Sequence, residues 1–323
     1  MNSISRRTFL AGSAGAAALA LTACGGSGSS DASGDKTYKI GVLQLTQHAA
    51  LDAANEGFVE ALDASGIKYT IDQQNANNDQ SACATIASKL VGDGDDLIFA
   101  IATPAAQAVA AATSDIPIAG SAITDYAASG LVADNDKPGG NLTGTSDMNP
   151  VDDQIAMLQK VLPEAKHIGM LYCTAESNSQ LQIEMAEAAC DKAGLTTERF
   201  TVSSSNEIQS VVESMVGKVD AGYSPTDNTI AAAAAQVGQI AKEGKLPFIT
   251  GEENMCMGMG ICTVSIDYKE LGKMAGEMAV KILKGEDTPA NMAIETEAGD
   301  QLQTIKNEEM AEALGIDLSV LDA

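Results

Sequence analysis

Tryptophan is absent from this 323-residue chain, and all aromatic residues together make up only 3%. Sugar receptors stack pyranose rings on aromatic faces, so this composition disfavours a sugar ligand. Basic residues are scarce as well: 19 Lys and Arg stand against 44 Asp and Glu, a net charge of −25. A nucleic-acid partner needs clustered cations to neutralise phosphates, and that class is disfavoured. The acidity reads first as solubility, with cation binding as the alternative. Beyond the N-terminus no apolar run reaches 18 residues, so no membrane span is expected there. Catalytic signatures are also missing. There is no Gly-x-Ser-x-Gly elbow, no Walker-type phosphate loop, and no Gly-x-Gly-x-x-Gly after a strand. The acidic run Asp93-Gly94-Asp95-Asp96 precedes a strand, the wrong end of a doubly wound sheet for chemistry. The expectation is a non-enzyme with no catalytic residues, no cofactor and no metal site.

What is present begins with an address. Arg6 and Arg7 precede an apolar run from Phe9 to Ala23, the order of a secretory signal. Ser5-Arg6-Arg7-Thr8-Phe9-Leu10 also resembles a twin-arginine signal. Leu21-Thr22-Ala23-Cys24 resembles the lipobox of bacterial lipoproteins, which makes residues 1–23 a signal peptide and Cys24 the lipidated residue. Several acyl chains together give durable anchoring. The Gly-, Ser-, Ala- and Asp-rich stretch that follows, within residues 24–37, reads as a flexible tether. An exported protein held to the outer face of the cell membrane follows.

Five further cysteines remain, an odd number without framework spacing. Cys83 and Cys190 fall in helical patterns as small buried residues. Cys256 and Cys262, interleaved with Met255, Met257 and Met259, leave three readings: a pair, a soft-metal site, or a loop feeding a buried strand.

From Lys39 onward, strands and helices alternate. Strand patterns at 39–45, 69–72, 97–101 and 117–122 enclose helical patterns at 51–62, 80–91 and 104–113. The second half repeats the order: strands 168–171, 197–202, 220–223 and 246–249, helices 179–193, 206–217 and 228–242. Gly41 and Gly169 are 128 residues apart, and Asp96 and Asp220 are 124 apart. The expected fold class is therefore α/β, with two doubly wound Rossmann-like lobes.

Ligands of open parallel sheets bind beyond the carboxyl ends of the strands, so two such lobes make a cleft between those ends. Polar residues sit there: Gln44 and His48 after the first strand, Thr103 after the third, Thr124 and Asp125 after the fourth. The second half offers Glu176-Ser177-Asn178-Ser179, Pro225-Thr226-Asp227-Asn228 and Glu252-Glu253-Asn254. Ser177, Asn178 and Ser179 open a helix, whose free N–H groups suit a carboxylate; plain N-capping is the alternative. Asp227 suits a ligand ammonium, and helix capping is again the alternative. A carboxylate holder beside an ammonium holder points to an amino acid. His167 precedes a strand and reads as structural.

Several stretches carry a resemblance: Ile40-Gly41-Val42-Leu43-Gln44 through His48-Ala49-Ala50-Leu51-Asp52, Ala102-Thr103-Pro104-Ala105-Ala106-Gln107, Asn141-Leu142-Thr143-Gly144-Thr145-Ser146-Asp147, Pro225-Thr226-Asp227-Asn228 and Ser265-Ile266-Asp267-Tyr268. From Tyr38 to about Leu318 the chain resembles the ABC-type substrate-binding family that includes tryptophan- and tyrosine-binding lipoproteins. The resemblance implies a type I periplasmic-binding-protein fold with a three-crossover hinge. Its crossovers are expected near 147, 264 and 291, giving lobe one as 38–147 plus 264–290 and lobe two as 148–263 plus 291–323. It implies ligand contacts from Gln44, His48, Thr103, Ser146, Ser177, Asn178, Asp227 and Asn228; Asp125 joins them by its position. The implied partners are a small ligand, most simply an amino acid of aromatic type, and the permease and ATPase of an importer, with the receptor acting as a monomer. Departures are Cys173, Cys256, and Tyr126 where a proline is expected beside the cleft. An anchored sensor, a Rossmann-like enzyme, and a metal or sugar receptor stand as rival readings.

Overall fold

The computed structural model describes residues 36–297 and 299–322. The expected signal peptide, Cys24 and all but the last two residues of the tether lie outside the described residues. The first half runs β1 (Thr37–Gln44), α1 (Ala49–Ser65), β2 (Lys68–Asn75), α2 (Gln80–Asp93), β3 (Leu97–Ile101), α3 (Thr103–Ala112), β4 (Ile118–Ile123) and β5 (Leu142–Ser146). Its strands form a parallel sheet of order β2-β1-β3-β4-β5. Every residue of β3 and β4 is buried, as strands covered by helices on both faces require.

The second half runs α4 (Val151–Val161), β6 (His167–Cys173), α5 (Ser177–Lys192), β7 (Thr196–Val202), α6 (Ile208–Met215), β8 (Ala221–Ser224), α7 (Asn228–Ala231), α8 (Ala234–Gly244), β9 (Phe248–Thr250), α9 (Glu253–Met259) and β10 (Cys262–Ser265). After α10 (Tyr268–Lys284) come β11 (Gln303–Lys306) and α11 (Glu308–Leu314). The second sheet has the order β11-β10-β9-β8-β6-β7, parallel apart from the antiparallel edge strand β11. Two α/β lobes of one plan result.

The repeat holds at the level of atoms. A carboxylate oxygen of Asp96 accepts the Lys39 N–H, and its counterpart Asp220 accepts the N–H groups of Lys166 and His167. Each aspartate thus fastens the amino end of its lobe's first strand. Gly41 and Gly169 match in the same way: an added Cβ would strike Asp95 and Leu90 in one lobe, and Met215 and Val219 in the other.

α10 returns to the first lobe and packs on α1, β4 and β5. The two helices meet backbone to backbone. A Cβ on Gly272 would lie 1.9 Å from the Ala54 carbonyl oxygen, and one on Gly57 would lie 1.9 Å from that of Lys269. Behind this seam the Phe58 ring stacks on Phe99 with centroids 3.8 Å apart.

The chain passes between the sheets three times, after Asp147, at Ile266–Asp267 and after Thr296. Two of these passages fall later than expected. Val264 and Ser265 still pair with Thr304 and Gln303 in the second sheet, and Glu295 still bridges Thr145 in the first. Hydrogen bonding holds each segment to its own sheet for a few residues beyond the sequence signal. The three passages are tied together: Asn149 Oδ1 accepts the Ile266 N–H (3.1 Å), Glu297 accepts the Asp267 N–H (2.7 Å), and the Thr296 hydroxyl donates to the Ser146 carbonyl (2.8 Å).

Other elements also differ. The single helix expected over 228–242 is broken into α7 and α8, and the break lets α8 lie against α9. There Gly238 meets the Gly258 carbonyl so closely that a Cβ would sit at 2.1 Å. The helix expected over 206–217 opens as a 3-10 turn and is α-helical only over 208–215. Cys256 lies on α9 and Cys262 on β10, both as free buried thiols, so neither pairing nor a loop describes that segment. Among the described residues no His/Cys/Asp/Glu group has a metal-holding arrangement, and no helix is long and apolar enough to cross a membrane. Tyr126 is core rather than cleft: it is fully buried and donates to the Thr145 carbonyl (3.0 Å), beneath the close approach of Gly120 and Gly144.

Candidate functional site

The loops after the strands of one sheet meet those of the other. Away from the passages, hydrogen bonds among the described residues cross between lobes from His48 Nε2 to Asn228 Oδ1 (3.1 Å), Asn78 to Thr229 (2.9 Å), Gln80 to the Ala175 carbonyl (2.9 Å) and Gln182 to Thr124 (3.4 Å). They close over a cavity lined from both lobes. The first lobe contributes His48, Ala50, Leu51, Ala122, Asp147 and Tyr268 to its wall. The second contributes Asn178, Thr226, Asp227, Asn228, Glu252, and the apolar Ala231 and Met255.

Local sequence explains how each group is held. α1 follows His48, which stands at the N-cap position without a side-chain cap; Ala50 and Leu51 of its first turn face the cavity. The first-turn N–H groups and the positive end of the helix dipole are therefore left for a ligand. Asp227 caps α7, accepting the Ile230 N–H (2.9 Å), and its other oxygen accepts the Cys173 N–H (2.6 Å) at the end of β6. Glu252 caps α9 through the N–H groups of Asn254 and Met255, both at 2.6 Å. Asp147 accepts the Tyr268 hydroxyl at 2.7 Å through Oδ2. Ala122 (φ 56°) and Ala102 (φ 85°, ψ 151°), at the ends of β4 and β3, hold backbone conformations that favour glycine, a strain found where a site constrains the chain.

The electrostatics are one-sided. Among the described residues no Lys or Arg is buried. Burial pushes the Asp147 carboxyl up to about 6, partly offset by the hydroxyls of Tyr268 and Thr124, and pushes Glu252 up to about 7. Burial, with the neighbouring Glu176, raises Asp227 far above the usual carboxylate range. Burial lowers His48, which favours the neutral imidazole. Glu176 lies behind the wall and is saturated: it accepts from the backbone and side chains of Asn228 and Thr229 at 2.6–3.0 Å, locking the start of α5 to the start of α7. Three buried side-chain atoms of wall residues lack a protein partner, namely His48 Nδ1, Asn178 Oδ1 and Asp147 Oδ1, the last influenced by the nearby Thr124 hydroxyl without a well-formed hydrogen bond to it. Buried polar atoms in native proteins are nearly always paired, so these three are available to a ligand.

Of the residues singled out in the sequence, His48, Asn178, Asp227 and Asn228 are gathered on the cavity wall. The others are not. Gln44 donates to the Thr46 carbonyl and Asp52, shaping the β1–α1 turn. Thr103 is buried at the start of α3, away from the wall, with its hydroxyl unpartnered. Asp125 is half-buried and braces its own loop through Ala128 and Asn135. Ser146 donates to the Thr124 carbonyl and accepts from the Met148 N–H. Ser177 is exposed, because successive residues of a helical turn point about 100° apart and Asn178 and Ser179 take the inward directions. The wall also includes Thr226 and Glu252, which the sequence placed at strand ends facing the cleft, and Asp147 and Tyr268, which were not among the expected contacts. Asp147 follows a strand and Tyr268 opens a helix, each at a passage between lobes, and that position was their available signal.

Comparison with known proteins agrees with this geometry. The family model described as ABC transporter substrate binding protein matches residues 39–320. A tyrosine-binding protein of Clostridioides difficile is 39% identical over 300 residues, covering 88% of this chain and 87% of its own. A Streptococcus pneumonia domain solved in complex with L-Trp is 41% identical, with a TM-score of 0.85 over 89% of this chain and 98% of that one. A Clostridium difficile substrate-binding protein with adhesive properties, solved ligand-free and open, is 42% identical over 87% and 95% of the two chains, yet superposes with a TM-score of only 0.66. With two lobes of type I periplasmic-binding plan closed on an interlobe cavity, and a family match spanning nearly every described residue, the chain belongs to the ABC transporter substrate-binding protein family.

Proposed function

We propose that this protein is the lipid-anchored receptor of an ABC importer and that its ligand is an aromatic L-amino acid. The single observation that carries the ligand reading is the division of the cavity wall. At the inner end the first lobe offers the uncapped start of α1, and the second offers the buried Asp227 carboxylate with no buried Lys or Arg to pair it. A zwitterion fits that division: its carboxylate on the α1 terminus, its ammonium against Asp227 and Asn178 Oδ1. Leu51, Ala122, Ala231 and Met255 supply apolar surface for a ring, and the Met255 thioether favours an aromatic neighbour. The relatives named for tyrosine and solved with L-Trp support the aromatic class. Closure of the lobes over the ligand then presents one rigid face to the permease and ATPase. Acylation at Cys24 keeps the receptor at the membrane.

Calorimetric titration with the common amino acids tests the reading. Micromolar or tighter binding confined to aromatic L-amino acids is expected. Tight binding of a sugar or of a metal ion instead, with silence for amino acids, would overturn it.

A further inference from the structure

We propose that the cavity is built for a ligand with hydrogen-bond donors at both ends, an α-ammonium at one and a ring-borne O–H or N–H at the other, so that tyrosine and tryptophan are held and phenylalanine is rejected. The inference rests on the aromatic amino-acid reading above and sharpens it.

The two sheets give the cavity a direction. In the second lobe Asn178 follows β6, Asp227 follows β8 and Glu252 follows β9, strands that are neighbours in that order. Two inter-strand steps of roughly 4.8 Å put about 10 Å between the first and last of these positions. In the first lobe His48 follows the inner strand β1, while Asp147 follows β5, the edge strand from which the chain leaves for the second lobe. The cavity therefore has an inner end at the start of α1, Asn178 and Asp227, and a hinge end at Asp147, Tyr268 and Glu252. Apolar Ala122 and Met255 also line it.

Each end carries an acceptor without a partner. At the inner end it is Asn178 Oδ1, in a residue 3% exposed; at the hinge end it is Asp147 Oδ1, in a residue 4% exposed. The other Asp147 oxygen already takes the Tyr268 hydroxyl. A buried carboxylate oxygen left unpaired is costly, and the amino-acid backbone of a ligand bound at the inner end cannot satisfy it. A donor carried on the far side of the ring can. The tyrosine hydroxyl and the indole N–H are such donors, and phenylalanine has none. Asp147 is then a specificity-determining residue, and Asp227 with Asn178 reads the part common to all amino acids.

The test is calorimetric titration of the full-length protein with L-tyrosine, L-tryptophan and L-phenylalanine, and with O-methyl-L-tyrosine and 1-methyl-L-tryptophan. A site that pairs a ligand donor rejects the analogue lacking it strongly, so phenylalanine and both methylated ligands are expected to bind about 100-fold or more weakly than tyrosine and tryptophan. Asp147→Asn is expected to cut the tyrosine-to-phenylalanine ratio to about tenfold or less, since the charge-assisted bond is lost, whereas Asp227→Asn weakens all the ligands by a similar factor. The methylated ligands need no variant, so the test stands even if Asp147→Asn fails to fold. Phenylalanine and the methylated ligands binding within about threefold of tyrosine would overturn the second donor while leaving the aromatic reading intact. Tighter binding of L-lysine than of tyrosine would assign the hinge end to a cation instead. Failure of every aromatic amino acid to bind would remove both readings together.

Discussion

The two lobes share a plan but meet the cavity with different chemistry. The first contributes Ala50, Leu51 and Ala122 together with an uncapped helix start, and its α1–α10 seam is closed backbone to backbone. The second contributes Asp227 and Glu252, each of which caps a short helix while facing the cavity. The first lobe thus presents N–H donors at the start of α1 and the Asp147 acceptor at the hinge, and the second presents acceptors that double as structural caps. A shared plan supplies the frame, and side chains at strand ends in the two halves suit the opposite ends of the proposed dipolar ligand.

That asymmetry can be broken from the second lobe with the largest effect. Asp227→Ala removes a cap, leaves the Cys173 N–H without its acceptor and deletes the proposed ammonium partner. Amino-acid affinity is expected to fall by about 100-fold or more, and unfolding stability by about 2–3 kcal/mol, read by calorimetry and urea melts. Breaking the first lobe acts on stability instead. In Gly272→Ala the new Cβ meets the Ala54 carbonyl, and an overpacking cost of about 1–3 kcal/mol is expected. Lobe two should be spared, which hydrogen exchange resolved by segment would show.

pH separates the lobes' roles further. Glu252 is raised to about 7 and Asp147 to about 6, so between the ordinary carboxylate range and those values the folded, unliganded protein holds protons that the unfolded chain has released. With Asp227 raised as well, to about 8, its stability is expected to fall as pH rises from about 4.5 to about 8 and then level off. Because Asp227 is the proposed ammonium partner, the ligand-induced rise in melting temperature is expected to grow as pH rises toward about 8. Parallel pH trends with and without ligand would contradict the acidic-wall reading. The smallest effect is expected at the contact between lobes. His48→Ala deletes one cross-lobe hydrogen bond to Asn228, and a loss of about three- to tenfold in affinity should appear without a large change in melting temperature of the unliganded protein.

Much of this was legible along the chain. The period of β-α units, the paired glycines at 41 and 169 and the paired aspartates at 96 and 220 all reflect local needs: strand burial, helix packing and strand fastening. Those needs select residue types directly. The placement of His48, Asn178, Asp227 and Asn228 after strands was equally readable, because the carboxyl ends of parallel strands are where such folds keep their sites. Gln44, Ser146 and Asp125 share those positions yet turn to their own loops, and Ser177 turns outward. A single helical step or a competing backbone acceptor decides between the two, and neither leaves a mark in residue type. Strain at Ala102 and Ala122 was likewise hidden, since alanine gives no sign of a positive φ.

By itself the sequence determined the fold class, the twofold repeat and the ends of the sheets at which a ligand is held, because burial and strand pairing act on patterns a few residues long. Only the tertiary structure decided which carboxylates face the cavity, that Asp147 at a passage between lobes keeps an oxygen unpaired, and that the passages come after Asp147, at Ile266 and after Thr296. These depend on segments more than 100 residues apart coming together, as Asp147 with Tyr268 and His48 with Asn228 do. Hydrogen bonds across such separations are set by the packing of whole lobes.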